Sequence, residues 1–216
     1  MTPPSDDRVA AEASAAPSDA DRRRDALLPR LAEAFAAEGY DRTTTAALAR
    51  AAGLRENQLY RLWPSKKAMF LDCLRFIRER DIAAWTDILD RHAGRPAEAI
   101  RHLLREEGRT RGHSGIHRIT FAGLSRCDDP EIRDALRGLY LGLHRFITDT
   151  VAAHAAEADP DPDPDSEADD PLSPALAAWA LIALGTFSNI GHELELFGRP
   201  TLKRLLADAG GRLLEP

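Results

Sequence analysis

Residues 35–70 read FAAEGYDRTTTAALARAAGLRENQLYRLWPSKKAMF. The order is a helix end, a Gly-Tyr break, a run of threonines able to cap, a short helix with inward apolar spacing, a glycine turn, a second short helix, and a Pro-Ser stop before a new start. That layout is a helix-turn-helix, whose second short helix lies in the major groove of DNA. Thr43 or Thr44 caps the first short helix, whose Leu48, Ala49 and Ala52 face inward, and Gly53 supplies the left-handed turn after it. Leu54, Leu59, Leu62 and Trp63 pack the second short helix back on the rest. Pro64-Ser65 then stops it and caps a long helix from Lys66 to about His92.

Upstream, Leu27, Leu28, Leu31, Ala34 and Phe35 recur at three and four residues, an amphipathic stripe. Pro29 sets the regular start of this first helix near Leu28, with Pro29 in the first turn, or else kinks the helix there. Residues 1–20 hold almost no large apolar side chain and are expected to be a disordered tail. The triple Arg22, Arg23, Arg24 that follows is either a solvated helix start or an arm reaching a phosphate or the minor groove.

The net charge of −6 argues against a nucleic-acid partner until it is divided along the chain. Residues 21–80 hold 13 basic and 8 acidic side chains, a surplus of five positive charges, and the remainder holds 16 basic against 27 acidic. The positive charge is local to the helix-turn-helix, so the molecule would approach DNA by one end.

Beyond Gly94 the pattern stays helical with no strand signal. Pro96–Arg109 and Ile116–Ser125 are candidate helices. Asp129-Pro130 is a specific start for a long one carrying Ile132, Leu136, Leu139, Leu143, Ile147 and Val151. The acidic, Pro-rich stretch 157–171 is expected to be a solvated linker. Its alternating Asp159, Asp161, Asp163 and Asp165 lack the glycine and closing glutamate of a calcium loop. Two last helices are expected over about Ser173–Leu196 and Pro200–Leu214.

Cys73 and Cys127, far apart in the chain, suggest reduced thiols in a cytoplasmic protein. The longest apolar run, Leu176–Gly191, is interrupted by Thr186, Ser188 and Asn189 and is read as no membrane segment. No nucleophile, base and orienting acid fall in a recognisable motif, and no phosphate-cradling glycine loop occurs, so no catalysis and no cofactor is expected. His113 and His117 stand four apart, but Gly112 and Gly115 weaken a helix there, and no metal site is expected.

The segment from about Arg24 to Phe70 resembles the N-terminal domain of the TetR family of bacterial transcription regulators. The resemblance is carried by Phe35, Gly39-Tyr40, Thr43-Thr44, Leu48-Ala49, Ala52-Gly53, Leu59-Tyr60 and Pro64-Ser65-Lys66. It implies an all-α chain with three parts. These are the tail 1–20, a three-helix DNA-binding domain over 21–68, and a larger helical effector-binding and dimerisation domain over 69–216. It further implies a homodimer on a palindromic double-stranded operator, usually repressing until a small-molecule effector binds.

Under that resemblance Lys66 starts the fourth helix, where its ammonium, the free backbone donors and the helix dipole favour a phosphate. Thr44, Tyr60 and Arg24 are further phosphate candidates. Base edges fall to Asn57 and Gln58, whose amides suit adenine, to Arg55 for guanine, to Glu56 for cytosine, and to Thr45 for an edge or a thymine methyl. Arg55 and Glu56 also fit a merely solvated first turn.

The effector pocket is expected among the fourth to eighth helices, with Trp85, His113, His117, Phe121, Tyr140, His144 and Phe187 as candidates. Trp179, Ile182, Phe187, Ile190 and Leu194, with Phe197, offer more apolar surface than one helix needs for its own core. The resemblance makes that surface a four-helix dimer interface. The competing readings are a helical ligand carrier and an adaptor whose N-terminal domain binds protein.

Overall fold

A computed structural model describes residues 18–93, 117–158 and 172–209, with positions 95, 98, 99 and 102. Residues 1–17 of the expected tail, His113, and most of the helix expected over 96–109 lie outside the described residues, as do residues 159–171 of the expected linker and the last residues of the final helix. Every regular element among the described residues is helical.

Helix α1 spans Asp19–Arg42. Ser18 caps it: its hydroxyl accepts from the Asp21 N–H at 3.2 Å, while the Asp21 carboxylate accepts from the Ser18 N–H at 3.2 Å. The helix thus begins well before Leu28, and Ser18, Asp19 and Ala20, assigned by sequence to the tail, are ordered. Pro29 lies in the interior, where it removes one backbone donor. Leu28, Leu31, Ala32 and Phe35 hold the helix against the core across that gap. Gly39, at φ 76° and ψ 170°, ends the regular coil as expected. The Thr43 hydroxyl closes the break by donating to the Gly39 carbonyl at 2.6 Å.

Helices α2, Thr45–Ala52, and α3, Glu56–Leu62, follow. Of the two threonines open to the capping role, Thr44 takes it, accepting from the Ala47 N–H at 3.1 Å, while Thr43 is buried. Gly53 adopts φ 68°, and the Leu54 N–H returns to the Ala49 carbonyl at 2.8 Å, closing the turn. Helix α4, Lys66–Arg91, is capped by Ser65, whose hydroxyl accepts from the Ala68 N–H.

Helix α5 is His117–Leu124 and α6 is Pro130–Ala158. Asp129 caps α6 as its sequence position requires, its carboxylate accepting from Glu131 and Ile132 N–H groups. Glu157 and Ala158, assigned to the linker, are the last turn of this helix. Helix α7 is Pro174–Glu193 and α8 is Arg199–Arg204, prolonged by one π-helical turn over Leu205–Ala209.

One apolar cluster runs from Leu28 through Phe35, Leu48, Leu59, Trp63, Phe70 and Leu74 to Ile119, Ile132, Leu136 and Leu139. Each large side chain withdrawn from water there contributes about 1.5–3 kcal/mol. The division at residues 68 and 69 that the sequence suggests falls inside α4, and the packing continues across it. Helix α5 rests on α1, and α6 pairs with both α4 and α7.

Helix α7 has the length and mean hydropathy, 1.3, that a membrane span also has. Its Ala177, Ala178, Gly185, Ser188, Asn189 and Gly191 are buried in the fold, while Leu176, Trp179 and Phe187 are exposed.

Candidate nucleic-acid interface

The motif presents α3 on a fixed platform. Leu59 and Trp63 are fully buried beneath it, and the Trp63 indole N–H donates to the Asp72 carboxylate at 2.7 Å, locking the end of α3 onto α4. Arg24 reaches the same point from α1: its Nε donates to the Leu62 carbonyl at 2.9 Å, and its other end pairs with Asp21 at 3.0 Å. The structure therefore gives Arg24 a clamp role at the carbonyl end of α3.

Above this platform Arg55, Glu56, Asn57, Gln58, Tyr60 and Arg61 are exposed, Tyr60 by 45%. Arg55 precedes α3 in extended backbone and lends no side-chain oxygen to cap it. Gln58 fills part of that gap, its Oε1 accepting from the Arg55 N–H at 3.0 Å. Across the turn, the Thr45 hydroxyl donates to Glu56 Oε2 at 2.9 Å. Thr44 is exposed at the start of α2.

Lys66 is placed differently from a free phosphate ligand. Its ammonium donates to the carbonyls of Tyr40, at 2.9 Å, and Thr43, at 3.2 Å, and sits 4.5 Å from the Tyr40 ring centre. The side chain thus secures the end of α1. Tyr40 is a packing residue, edge-on to Phe70 with ring centres 4.9 Å apart, and burial raises its hydroxyl pKa above the ordinary value.

The loop between α5 and α6 grips the same region. Arg126 lies 3.6 Å from the Asp41 carboxylate and 5.8 Å from the Tyr40 ring. Lys67 pairs with Asp129, at 3.2 Å, and with Glu131, and these hydrogen bonds, that to Glu131 foremost, raise its pKa.

Several of the described residues expected to line an effector pocket pack in separate places. Trp85 is buried against Phe146, with ring centres 5.8 Å apart. His117 stands edge-on to Phe121 and 2.6 Å from Glu193 Oε1. His144 stacks on Trp179 at 4.4 Å and donates through Nε2 to the Ala175 carbonyl. Tyr140 packs at the edge of the main core cluster. Phe187, named for both pocket and interface, is 49% exposed.

Sequence reasoning missed the salt link at His117. Arg118 and His117 both bind Glu193, 75 and 76 residues away, and no local spacing signals that pairing. Burial lowers the His117 pKa below its ordinary value against the opposing pull of Glu193. The hydrogen bond from Arg118 lowers that of Glu193.

Along α7 the exposed side chains Leu176, Trp179, Phe187 and, just past its end, Leu194 form an outward apolar stripe; Ile182 and Ile190 are half-buried beside it. Phe197 instead folds back over Gly191, so close that a Cβ there would lie 2.2 Å from the ring.

Residues 28–73 match the family of bacterial regulatory proteins, tetR family. The nucleoid occlusion factor SlmA of Vibrio vulnificus (strain YJ016) is 35% identical over 127 residues, which cover 55% of this chain and 61% of that protein. The chain thus spans less than two thirds of this curated relative's length. A TetR-family transcriptional regulator from Cytophaga hutchinsonii shares the fold with a TM-score of 0.67 at 15% identity, over 91% of this chain and 95% of that one. The transcriptional regulator FadR from Bacillus subtilis, solved in complex with stearoyl-CoA, does so with a TM-score of 0.64 at 14% identity, over 87% and 95%. Residues 28–73 thus match the N-terminal domain of the tetR family of bacterial regulatory proteins, and the chain shares its fold with the TetR-family regulator from Cytophaga hutchinsonii.

Proposed function

We propose that the protein is a DNA-binding transcriptional regulator, a repressor that holds a palindromic operator as a homodimer and lets go when a small-molecule effector binds. The observation that carries this reading is the α2–Gly53–α3 unit. A fully packed underside, with Leu48, Leu59 and Trp63 buried, supports an outer face of Arg55, Glu56, Asn57, Gln58 and Tyr60. The surplus of positive charge over residues 21–80, in a chain of net charge −6, favours the same end for contact with phosphate. Thr44, Tyr60 and the start of α4 hold the backbone, and α3 with Thr45 reads the bases.

Pairing of two copies through α7 is supported by the stripe of Leu176, Trp179, Phe187 and Leu194, which no monomer needs to expose. Effector binding in the larger helical domain is supported by Asn189. Its side chain is 8% exposed, and its oxygen is buried without a hydrogen-bond partner. The FadR neighbour is solved in complex with stearoyl-CoA, so this fold admits a small-molecule ligand. A regulator of operator DNA works beside the chromosome, in the cytoplasm, by binding rather than by catalysis.

The test is selection of bound duplexes from a random DNA pool by the full chain. The expected product is an inverted repeat with half-sites about one helical turn apart. Enrichment of no duplex at low salt would refute the reading.

A further inference from the structure

Thr45 opens α2 and Glu56 opens α3, eleven residues on, and the hydroxyl of the first donates to the carboxylate of the second at 2.9 Å. The bond crosses the mouth of the helix-turn-helix, so it belongs to neither helix's own cap. Thr44 caps α2, and the Gln58 amide oxygen takes the Arg55 N–H. The bond fixes an exposed carboxylate on the face that meets base edges. A carboxylate there is repelled by the phosphates on either side, so it favours DNA only where a base supplies a donor. In the major groove cytosine presents its N4 amine as a lone donor. Guanine presents acceptors only, thymine an acceptor and a methyl, and adenine pairs its donor with an adjacent acceptor that a carboxylate repels.

Thr45 has committed its hydrogen to Glu56 and can only accept in turn, so the pair is acceptor-only. Gln58 is set the opposite way: with its oxygen turned inward, its amine is left as a donor. We propose that the Thr45–Glu56 pair is a specificity-determining unit that selects cytosine at one position of each operator half-site. Glu56 is the reader, and Thr45 is the positioning residue that orders its carboxylate before DNA arrives. This proposal rests on the DNA-binding reading above.

The experiment uses the full chain, selection from a random duplex pool, and then equilibrium competition between duplexes differing at single positions. The wild type is expected to show one position per half-site where replacing cytosine weakens binding about fivefold or more. Glu56→Gln, which offers a donor beside an acceptor, moves that position toward adenine and leaves the others unchanged. Thr45→Val keeps the cytosine preference but narrows its ratio. If Glu56→Gln keeps every base preference, or only tightens binding to all sequences alike, the carboxylate is a repelling bystander and the proposal falls. It falls equally if Thr45→Val lowers the melting temperature while Glu56→Gln leaves base selection intact, because the bond is then only a clip between helices. A wild type that enriches no duplex refutes the DNA-binding reading itself, which separates the two failures.

Discussion

Lys66 donates to the main-chain oxygen of Tyr40 at 2.9 Å while its ammonium lies 4.5 Å from the centre of the same residue's ring. One side chain thus satisfies the broken end of α1 and fixes the start of α4. Lys66→Met should cost about 1–3 kcal/mol of stability, the usual effect of removing a charged donor from its carbonyls. If the start of α4 holds phosphate as proposed, it should also weaken binding to every duplex by a common factor. Thermal melting and competition on several operators check both halves.

Binding should fall steeply with salt. A dimer neutralising several phosphates loses affinity by about a thousandfold or more between about 50 and 200 mM salt. A linear plot of log affinity against log salt with a slope near zero would point instead to a protein partner.

Burial of His117 makes stability depend on pH with a definite sign. His117 has a pKa below its ordinary 6.5 in the folded chain, chiefly through burial, so below pH 6.5 the unfolded chain binds the proton more readily. The stability tied to a neutral His117 is therefore complete above pH 6.5 and is lost as pH falls toward the folded value. Glu193, with its pKa also lowered, acts in the same direction at more acid pH. His117→Gln should flatten the decline in melting temperature just below pH 6.5 and leave the lower decline in place.

Phe187→Glu places a charge in the middle of the outward stripe on α7. Light scattering is expected to report two chains for the wild type and one for the variant. Melting temperature should change little when measured at a dilution where both are monomeric, since Phe187 is 49% exposed. An unchanged two-chain mass would move the interface elsewhere.

The thiols should react unequally. Cys73 is buried in the core, and burial pushes its pKa well above that of a free thiol, whereas Cys127 is partly exposed. A thiol reagent is expected to modify Cys127 in the native protein and Cys73 only after denaturation. Fast modification of Cys73 would show that the region around α4 opens readily.

The helix-turn-helix was legible because its signals are local. The Thr44 and Ser65 caps, the Gly53 turn and the Asp129-Pro130 start each act within five residues, and each sits where sequence puts it. The start of α1 was misplaced because Pro29 outweighed the Ser18–Asp21 box, which a capping search finds. The roles of Lys66 and Arg24 could not be read. Their carbonyl partners, at Tyr40, Thr43 and Leu62, lie 23 to 38 residues away and come into reach only when three helices converge. The same distance problem hid Glu193 from His117. Of the aromatic residues expected in a common pocket, Trp85, Phe121 and Tyr140 are buried or half-buried while Phe187 is exposed, and hydrophobic spacing, which reports a face and not its opposite wall, does not show which neighbours they pack on.

The grip of Arg126 on Asp41 and of Lys67 on Asp129 and Glu131 shortens the lever between the two halves of the molecule. The start of α6 is thereby tied to the first turn of α4, beside Lys66, and not only along the length of the two helices.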